Sequence, residues 1–491
     1  MLSGSPVVEA SLAVPRFANA FATCPICRAD DVEYEFVVER VALSRCRACT
    51  QLFANPASER TDAQVRADVP LPALRVFAER YLGRAPMRVL VVDGAGDPYE
   101  LAGADRVRLD ALDALDPARR YDAVLACEAI DRDPDPLRVL AALRRTLEPD
   151  GVLLVAMPSL ASHAARSMRE NWPPLRSKAA WWYTPDTAQL LLTRAGFGDF
   201  VTLTDNRDAV AAGTPIPAYL ESNFAVLARP VARPERKTLS VIVPVFNEAR
   251  TVAELLDAVL AKSIESVEVE VIVVESGSSD GSREIVQRYA QHPRVTVVLE
   301  ERPQGKGAAV RAGLAHARGD VVLFQDADLE YDVSDYDRLV EPLFALRRNF
   351  VLGSRHGATR DGWKIRRFEE RRVVSSAMNL AHLALVTLFN RLYDQSVFDP
   401  FTMFKVFRRD CLYGVDFVCN RFDFDIEIVA KLYRKGYRPL EIPVNYRSRS
   451  FREGKKVAFF SDPPTWVKAM LRVRREPLYA FGPTESPVTS P

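Results

Sequence analysis

Alternating strand-like and helix-like segments over residues 239–355 constrain this sequence more than any other feature. Residues 239–246 form an apolar, β-branched run of strand length, and the apolar side chains of residues 252–260 recur at helical spacing. A second strand is predicted over residues 269–274, followed by a helix, and a third over residues 295–299. Such repeated strand-helix units predict an α/β fold with a parallel sheet.

A fourth predicted strand, residues 321–325, leads directly into an acidic segment, residues 326–330. In open α/β sheets, ligands bind outside the carboxyl ends of the strands. The acids expected to collect there are Glu248, Glu275, Asp280, Asp326, Asp328 and Glu330. Carboxylates suit Mg²⁺ or Mn²⁺, and Mg²⁺ leaves positions open to phosphate oxygens. The pattern therefore favours a nucleotide diphosphate as the ligand, although an Asp-x-Asp sequence by itself can be a plain turn.

Motifs of one known family occur in the same order along this region. They lie at residues 243–248, 274–281, 305–307, 326–330, 353–355, 398–405 and 443–446. With them the chain resembles the family 2 glycosyltransferases, nucleotide-diphospho-sugar transferases of the GT-A fold, and especially their polyprenyl-phosphate sugar transferase branch. One departure is Glu275 followed by Ser276, where the family usually has two aspartates, so the nucleobase stays open.

The resemblance also implies roles for individual residues. The donor would be bound by Pro244, Phe246, Glu248, Glu275, Lys306, Asp326, Ala327 and Arg355. Asp328 and Glu330 would hold Mg²⁺ or Mn²⁺, and Asp328 would be catalytic through that metal.

The acceptor side of the site is expected in the second half of this region. An arginine-rich stretch precedes a polar-interrupted apolar segment, residues 373–392. In the resembling branch this segment lies at the membrane interface, with Arg372 and Ser375 as phosphate contacts, and cationic flanks with an apolar face suit such a helix. Arg449, in a basic segment near the end, is a further candidate phosphate contact. The alternative is a plain core helix with solvated arginines.

Asp425 is the candidate catalytic base. Many inverting family 2 enzymes have a glutamate-aspartate pair here, with a glycine about eleven residues later, and Asp425 and Gly436 match that spacing. Phe424 stands in place of the glutamate. A base would suit a hydroxyl acceptor, which the sequence slightly favours, whereas a lipid phosphate needs none. Alternatively, the acids here only complement a helix N-terminus.

The N-terminal half begins with two pairs of cysteines. Cys24 and Cys27 precede Cys46 and Cys49, with 18 residues between the pairs, enough for a hairpin over residues 34–43. Two C-x₂-C pairs favour a closed, tetrahedral and therefore structural Zn²⁺ site. The alternative is two incidental pairs of reduced cysteines.

Residues 24–227 resemble the class I S-adenosylmethionine-dependent methyltransferases that carry an N-terminal zinc knuckle. The strand at residues 88–92 and the following Gly94 and Gly96 carry the resemblance, with later strands at residues 121–127 and 152–158. The cofactor end departs from the family: the expected acid is displaced to Asp93, a third glycine is absent, and Asp131 and Arg132 replace a histidine. The 25-residue step from Gly96 to Tyr121 leaves little room for two further strands. We therefore expect a degenerate domain that does not bind S-adenosylmethionine.

These observations divide the chain into six segments. The predicted segments are a tail (1–20), a zinc knuckle (21–56), a methyltransferase-like domain (57–228), a linker (229–238), a family 2 glycosyltransferase domain (239–482) and a second tail (483–491). The formal net charge of +1 argues against nucleic acid as a partner. No apolar run approaches the roughly 20 residues that span a bilayer, so a cytoplasmic location is expected, with peripheral contact at the inner face of the membrane as an extension.

The function expected from the sequence is that of an inverting, metal-dependent glycosyltransferase. It would move a sugar from a nucleotide-diphospho-sugar to a glycan hydroxyl or a polyprenyl phosphate, in the synthesis of a cell-surface polysaccharide or glycoconjugate. A bifunctional methyltransferase and glycosyltransferase, or a nucleotide-sugar-binding scaffold without turnover, are the alternatives. The sugar, the base and the oligomeric state stay open.

Overall fold

The computed structural model describes residues 23–38, 41–55, 69–86, 88–93, 101–116, 118–177, 179–232, 236–356, 365, 372–449 and 462–479. Several predicted features lie outside the described residues: both tails, Gly94 and Gly96, most of the arginine-rich stretch, and the basic segment after Arg449.

Strands and helices are numbered in chain order. The strands are β1 Val32–Val38, β2 Val41–Cys46, β3 Leu52–Ala54, β4 Val89–Asp93, β5 Asp105–Arg108, β6 Tyr121–Cys127, β7 Leu147–Pro158, β8 Trp181–Trp182, β9 Phe197–Leu203, β10 Asn223–Pro230, β11 Lys237–Val245, β12 Val267–Glu275, β13 Val295–Leu299, β14 Val321–Phe324, β15 Phe350–Ser354, β16 Lys405–Arg408 and β17 Leu440–Pro443. The helices are α1 Leu71–Leu82, α2 Pro136–Thr146, α3 His163–Met168, α4 Pro185–Arg194, α5 Asn206–Ala211, α6 Pro217–Leu220, α7 Val252–Ala261, α8 Ser282–Arg288, α9 Lys306–Leu314, α10 Tyr336–Phe344, α11 Arg372–Tyr393, α12 Phe424–Arg434 and α13 Asp462–Arg475.

Two sheets make up the N-terminal half. The first has the order β1-β2-β3-β8 and contains the predicted cysteine-flanked hairpin, with β1 antiparallel to β2. The second has the order β5-β4-β6-β7-β10-β9, in which β5, β4, β6 and β7 are parallel and β10 runs antiparallel to β7 and β9. Among the described residues, β5 is the one strand between Gly96 and Tyr121, as the short spacing predicted.

The third sheet forms the core of the C-terminal half and has the order β13-β12-β11-β14-β16-β15-β17. Strands β13, β12, β11 and β14 are parallel, as predicted, and β16 runs antiparallel to β14 and β15. Val245 pairs with Glu275, the last residues of β11 and β12, and Ile242 pairs with Phe324, the last residue of β14. The loops after these three strands therefore leave the sheet at one edge, where the predicted motifs lie.

Buried polar contacts join the two halves. The Arg434 guanidinium, at the end of α12, donates to both carboxylate oxygens of Asp208 at 2.9 and 3.0 Å. Asn349 Nδ2 donates to Asp186 Oδ1 at 2.6 Å, and both side chains are buried. At Gly436, an added Cβ would overlap the Pro185 ring. Since buried polar groups need partners, each half completes the interior of the other.

Helix α11 presents an apolar face to the surface. Leu380 is 64% exposed and Leu383 48% exposed, three residues apart and therefore on the same side of the helix. Nowhere in the described part of the chain is a helix both long and apolar enough to cross a membrane.

The ion pair between Arg434 and Asp208 provides a stability test. Asp208→Asn removes the buried partner of the Arg434 guanidinium and leaves only the partly exposed Asp205 as a carboxylate partner, so we expect a loss of about 3 kcal/mol or more of unfolding free energy in urea denaturation. Asp205→Asn is the matched control, because Asp205 meets Arg434 at 3.3 Å from a 26% exposed side chain and Asn keeps the helix N-cap. Equal losses in the two variants would contradict a stabilising role for the buried pair.

Candidate active site

A cavity of about 580 Å³ opens where β11, β12 and β14 end. Its lining includes most of the predicted site: Pro244, Phe246, Glu248, Lys306, Asp326, Ala327, Asp328, Glu330, Arg355, Asp425 and Arg449. It is also lined by an apolar group, which we call the apolar lobe: Met378, Ala381, Leu385, Phe401, Met403 and Trp466. One cavity thus combines a charged end with an apolar end.

Carboxylates from the loops after β11 and β14 surround a guanidinium. Arg449 Nη2 lies 2.7 Å from Asp328 Oδ2, and Arg449 Nη1 lies 2.9 Å from Glu248 Oε2. Glu330 accepts from the Arg449 backbone N–H at 2.6 Å and from the Tyr446 hydroxyl at 2.9 Å. Burial, with Asp326 and Glu330 nearby, raises the pKa of Asp328 to about 7, despite Arg449. These carboxylates carry more negative charge than the single guanidinium offsets. A group of hard oxygen donors with excess negative charge fits Mg²⁺ or Mn²⁺.

Two lysines flank Asp425 at the start of α12. Lys405 Nζ donates to Asp425 Oδ1 at 2.9 Å, and Lys306 Nζ lies 4.0 Å from Asp425 Oδ2 and 2.9 Å from Asp326 Oδ1. Burial alone would raise the pKa of Asp425, but the two lysines outweigh it and lower that pKa. Asp425 is therefore ionised at neutral pH, and the lysine charges weaken it as a base.

Two glycines allow this charge network to form. Gly307 stands where an added Cβ would lie 2.6 Å from the Cys419 carbonyl oxygen and from Phe424 Cβ. Gly305 has φ +109°, a backbone conformation that side chains with a Cβ rarely adopt. Since both flank Lys306, only glycine at these positions lets α9 approach the start of α12 and brings Lys306 to Asp425.

Arg355 lies between the charged end and the apolar lobe. Its guanidinium makes two bonds to Asp399, at 2.8 and 2.7 Å, and stacks 5.5 Å from the Tyr446 ring centre. Burial alone would raise the pKa of Asp399, but Arg355 holds it well below its usual range. Tyr446 bonds Glu330 on one side, while Asp399 lies 3.9 Å from His382 on the other. His382 in turn packs on Phe401 of the apolar lobe.

Two of the six expected acids do not line the cavity, which corrects that expectation. Glu275 is fully buried, and its carboxylate bonds Arg283 and accepts from the Ser278 backbone N–H. Asp280 accepts from the Ala249 backbone N–H and from Ser282. Both carboxylates hold the loops after β11 and β12 in place. Glu275 as a donor contact stays a prediction, with its carboxylate engaged by protein groups.

Of the predicted acceptor contacts whose side chains are described, Arg449 lines the cavity and Ser375 does not. Ser375 is buried on α11 and is not part of the cavity lining. Arg372 is the first residue of α11, and its side chain is not among those that the structure describes. Arg449 reaches the cavity but bonds carboxylates, as described above. The roles of all three with a phosphate stay predictions.

Several residues that line the cavity or contact its charged groups were not singled out from the sequence. Lys405 and Tyr446 lie inside the quoted motifs at residues 398–405 and 443–446, so the signal was present without an assigned role. His382 interrupts an apolar stretch, which is a weak signal for a functional position. Trp466 comes from α13, and no motif pointed to it.

The four N-terminal cysteines form a separate cluster. All four are buried, with Sγ atoms within 4.8 Å of one another, and none forms a disulfide. Cys24 Sγ lies 3.7 Å from Cys49 Sγ, and Cys27 Sγ lies 3.5 Å from Cys46 Sγ. Tetrahedral Zn²⁺ with bonds of about 2.3 Å requires separations of about 3.8 Å, so the cluster fits a zinc knuckle.

Together, the sheet and the acidic cavity are those of a GT-A fold. Residues 240–414 match the family model for glycosyl transferase family 2, and residues 67–199 match a methyltransferase domain model. The chain therefore carries a family 2 glycosyltransferase domain after a methyltransferase-like domain, as the sequence predicted.

Curated relatives share the C-terminal half. Over 221 residues, 44% of this chain, the sequence is 32% identical to an undecaprenyl-phosphate 4-deoxy-4-formamido-L-arabinose transferase of Edwardsiella ictaluri (strain 93-146) and covers 62% of it. A dolichyl-phosphate beta-glucosyltransferase of Trichomonas vaginalis is 30% identical over 221 residues, 42% of this chain and 65% of that protein. The chain thus spans less than two thirds of either relative.

Among solved structures, glucosyl-3-phosphoglycerate synthase from Mycobacterium tuberculosis is similar in part. It is 21% identical, with a TM-score of 0.36 over 49% of this chain and 80% of that structure.

Proposed function

We propose that this chain is an inverting, metal-dependent glycosyltransferase that transfers a sugar from a nucleotide-diphospho-sugar to the phosphate of a polyprenyl phosphate. The observation that carries the proposal is the continuity of one cavity from the acids after β14, past Arg355, to the apolar lobe. The undecaprenyl-phosphate and dolichyl-phosphate specificities in the names of the two curated relatives support this acceptor class.

The charged end would bind the donor. Asp328 and Glu330 would hold Mg²⁺ or Mn²⁺, which when bound offsets the charge of the departing nucleotide diphosphate. Asp326, fixed by Lys306, would orient the sugar, and Pro244 and Phe246 would frame the base. The nucleotide and the sugar stay unnamed, because Ser276 stands where the family usually has a second aspartate, and the Glu275 carboxylate is engaged by Arg283 and Ser278.

The acceptor assignment follows from the charges around Asp425. A phosphate oxygen is already an anion and can attack the anomeric carbon without losing a proton. As the new bond forms, the bond from that carbon to the nucleotide diphosphate breaks, and its electron pair leaves with the diphosphate. A hydroxyl instead gains typically 10²- to 10⁴-fold from a general base. Because two lysines lower the pKa of Asp425, the geometry favours the phosphate over the hydroxyl that the sequence slightly favoured.

The acceptor also determines where the protein acts. The apolar lobe is lined from α11 by Met378, Ala381 and Leu385, and the same helix exposes Leu380 and Leu383. An exposed apolar helix face beside the entrance for a lipid phosphate suits peripheral contact with a membrane. We therefore place the enzyme at the inner face of the membrane, in the synthesis of a cell-surface glycoconjugate.

The N-terminal half would act as a scaffold. In this proposal the zinc knuckle (21–56) and the methyltransferase-like domain (57–228) support a transferase domain at residues 239–482. The absence of S-adenosylmethionine binding stays a prediction. The linker predicted over residues 229–238 overlaps both neighbouring strands, because β10 extends to Pro230 and β11 begins at Lys237.

Asp328→Asn tests the metal assignment. Loss of one carboxylate charge weakens the hold on a divalent cation, so we expect transfer to fall below detection while the melting temperature stays near that of the wild type. The measurement is transfer from a panel of labelled nucleotide sugars with added Mn²⁺. Asp332→Asn, a surface acid beyond the cluster that caps the turn at residues 333–335, should keep activity. Full activity of the wild type in EDTA would contradict the assignment.

Asp425→Asn separates the two acceptor classes. With undecaprenyl phosphate in detergent, we expect turnover to fall by less than about tenfold, because the acceptor needs no general base. Asp423→Asn is the control, since Asp423 precedes the same helix and bonds the Arg421 backbone N–H. A loss of about two orders of magnitude or more, together with transfer to a glycan hydroxyl, would make Asp425 the base and replace the lipid-phosphate proposal.

The cysteine cluster predicts a metal content. Purified protein should carry about one Zn²⁺ per chain by elemental analysis, and Cys46→Ser should release it and lower the melting temperature. Cys127→Ala, at a buried thiol outside the cluster, should retain the metal. Wild-type protein purified without chelators and free of zinc would show that the cysteines are only packed together.

A further inference from the structure

Arg449 engages the carboxylates that a divalent cation would need. Its guanidinium bonds Glu248 at 2.9 and 3.2 Å and Asp328 at 2.7 Å, and its Nε lies 3.9 Å from Glu330 Oε1. The side chain is only 17% exposed, so water screens these contacts weakly. One guanidinium thus contacts three acids from two different loops.

The backbone holds Arg449 at this position. Tyr446 forms a bridge with Tyr331, and the Arg447 backbone N–H donates to the Glu330 carbonyl oxygen at 2.9 Å. The Arg449 backbone N–H then donates to Glu330 Oε1 at 2.6 Å. Residues 446–449 therefore run alongside the acidic segment, residues 326–330. This alignment places the Arg449 side chain between Glu248 and Asp328.

The oxygens near Arg449 are already occupied. Asp328 Oδ2 bonds the guanidinium, and Asp328 Oδ1 accepts from the Glu330 backbone N–H at 3.1 Å. Glu330 Oε1 and Oε2 accept from the Arg449 backbone and the Tyr446 hydroxyl, respectively. A cation that coordinates Asp328 Oδ2 must share or replace the guanidinium contact, and a cation on either Asp328 oxygen is repelled by the adjacent positive charge of Arg449.

We propose that Arg449 competes with the divalent cation for Asp328: it holds Asp328 beside Glu248 in the metal-free protein and releases Asp328 when metal and nucleotide bind. This inference rests on the proposed metal-dependent function. On release, the guanidinium would be close to the incoming phosphates, which it can bind through two parallel hydrogen bonds. Arg449 would thus be a positioning residue that links metal arrival to phosphate binding.

Competition predicts the sign of a binding change. If Arg449 only supported the site, its loss would weaken metal binding or leave it unchanged. If it competes, Arg449→Met removes a positive charge from beside the carboxylates and strengthens metal binding. We expect the dissociation constant for the metal to fall by about tenfold or more, which corresponds to about 1.4 kcal/mol. Arg449→Lys keeps the charge without the planar fork, so its affinity should lie between the two.

The experiment measures Mn²⁺ binding to the full chain without nucleotide, from the electron paramagnetic resonance signal of free Mn²⁺. Mn²⁺ is the probe because it prefers oxygen ligands to the cysteine cluster. Arg447→Met is the matched control: Arg447 is exposed, two residues away, and its contact to Glu330 uses the backbone, so its Mn²⁺ affinity should equal that of the wild type. A melting curve confirms that each variant is folded.

The outcomes separate this inference from the function on which it rests. Tighter Mn²⁺ binding in Arg449→Met, with Arg449→Lys intermediate, supports competition. Equal or weaker binding in a folded Arg449→Met overturns it, and so does Arg449→Lys binding Mn²⁺ more tightly than Arg449→Met. If no protein binds Mn²⁺, even with a nucleoside diphosphate added, the metal-dependent function itself fails.

Discussion

Concentrated negative charge at the end of β14 is the constraint on which the rest of the site depends. Carboxylates this close and this buried can stay ionised only beside positive charge. The protein supplies that charge from distant segments: Lys306 at the start of α9, Lys405 at the start of β16, and Arg449 after β17. The fold can therefore be understood as a way of bringing cations to one edge of a parallel sheet while leaving room for a ligand.

Much of this arrangement could be predicted from the sequence, because each strand and the acids that follow it are adjacent in the chain. Strands β11 to β14 are apolar runs, each followed by its own motif, so the carboxyl ends and the acids after them could be located before the structure was known. Glu275 shows the limit. Its place at the end of β12 was predictable, but its partner Arg283 turns it away from the cavity, and only the packing of α8 brings that partner to it.

The remainder of the site depends on tertiary packing that no local pattern specifies. Lys405 belongs to an antiparallel strand inserted beside β14, and Trp466 belongs to a helix near the end of the chain. Their sequence neighbourhoods resemble those of ordinary buried residues. The apolar lobe was missed for the same reason, since residues of α11 that line a cavity have the same composition as residues of a core helix.

Helix α12 connects this charge network to the other half of the molecule. It begins beside Asp425 in the cavity and ends at Arg434, whose charge is balanced by Asp208 of the N-terminal half. The stretch matched by the glycosyltransferase family model stops at residue 414, before this helix begins. A chain beginning at residue 237 would contain every transferase motif yet leave the Arg434 guanidinium without its carboxylate partners Asp205 and Asp208. Mutations in the methyltransferase-like half can then alter the proposed sugar transfer, although the described cavity is lined only by residues from Pro244 onward.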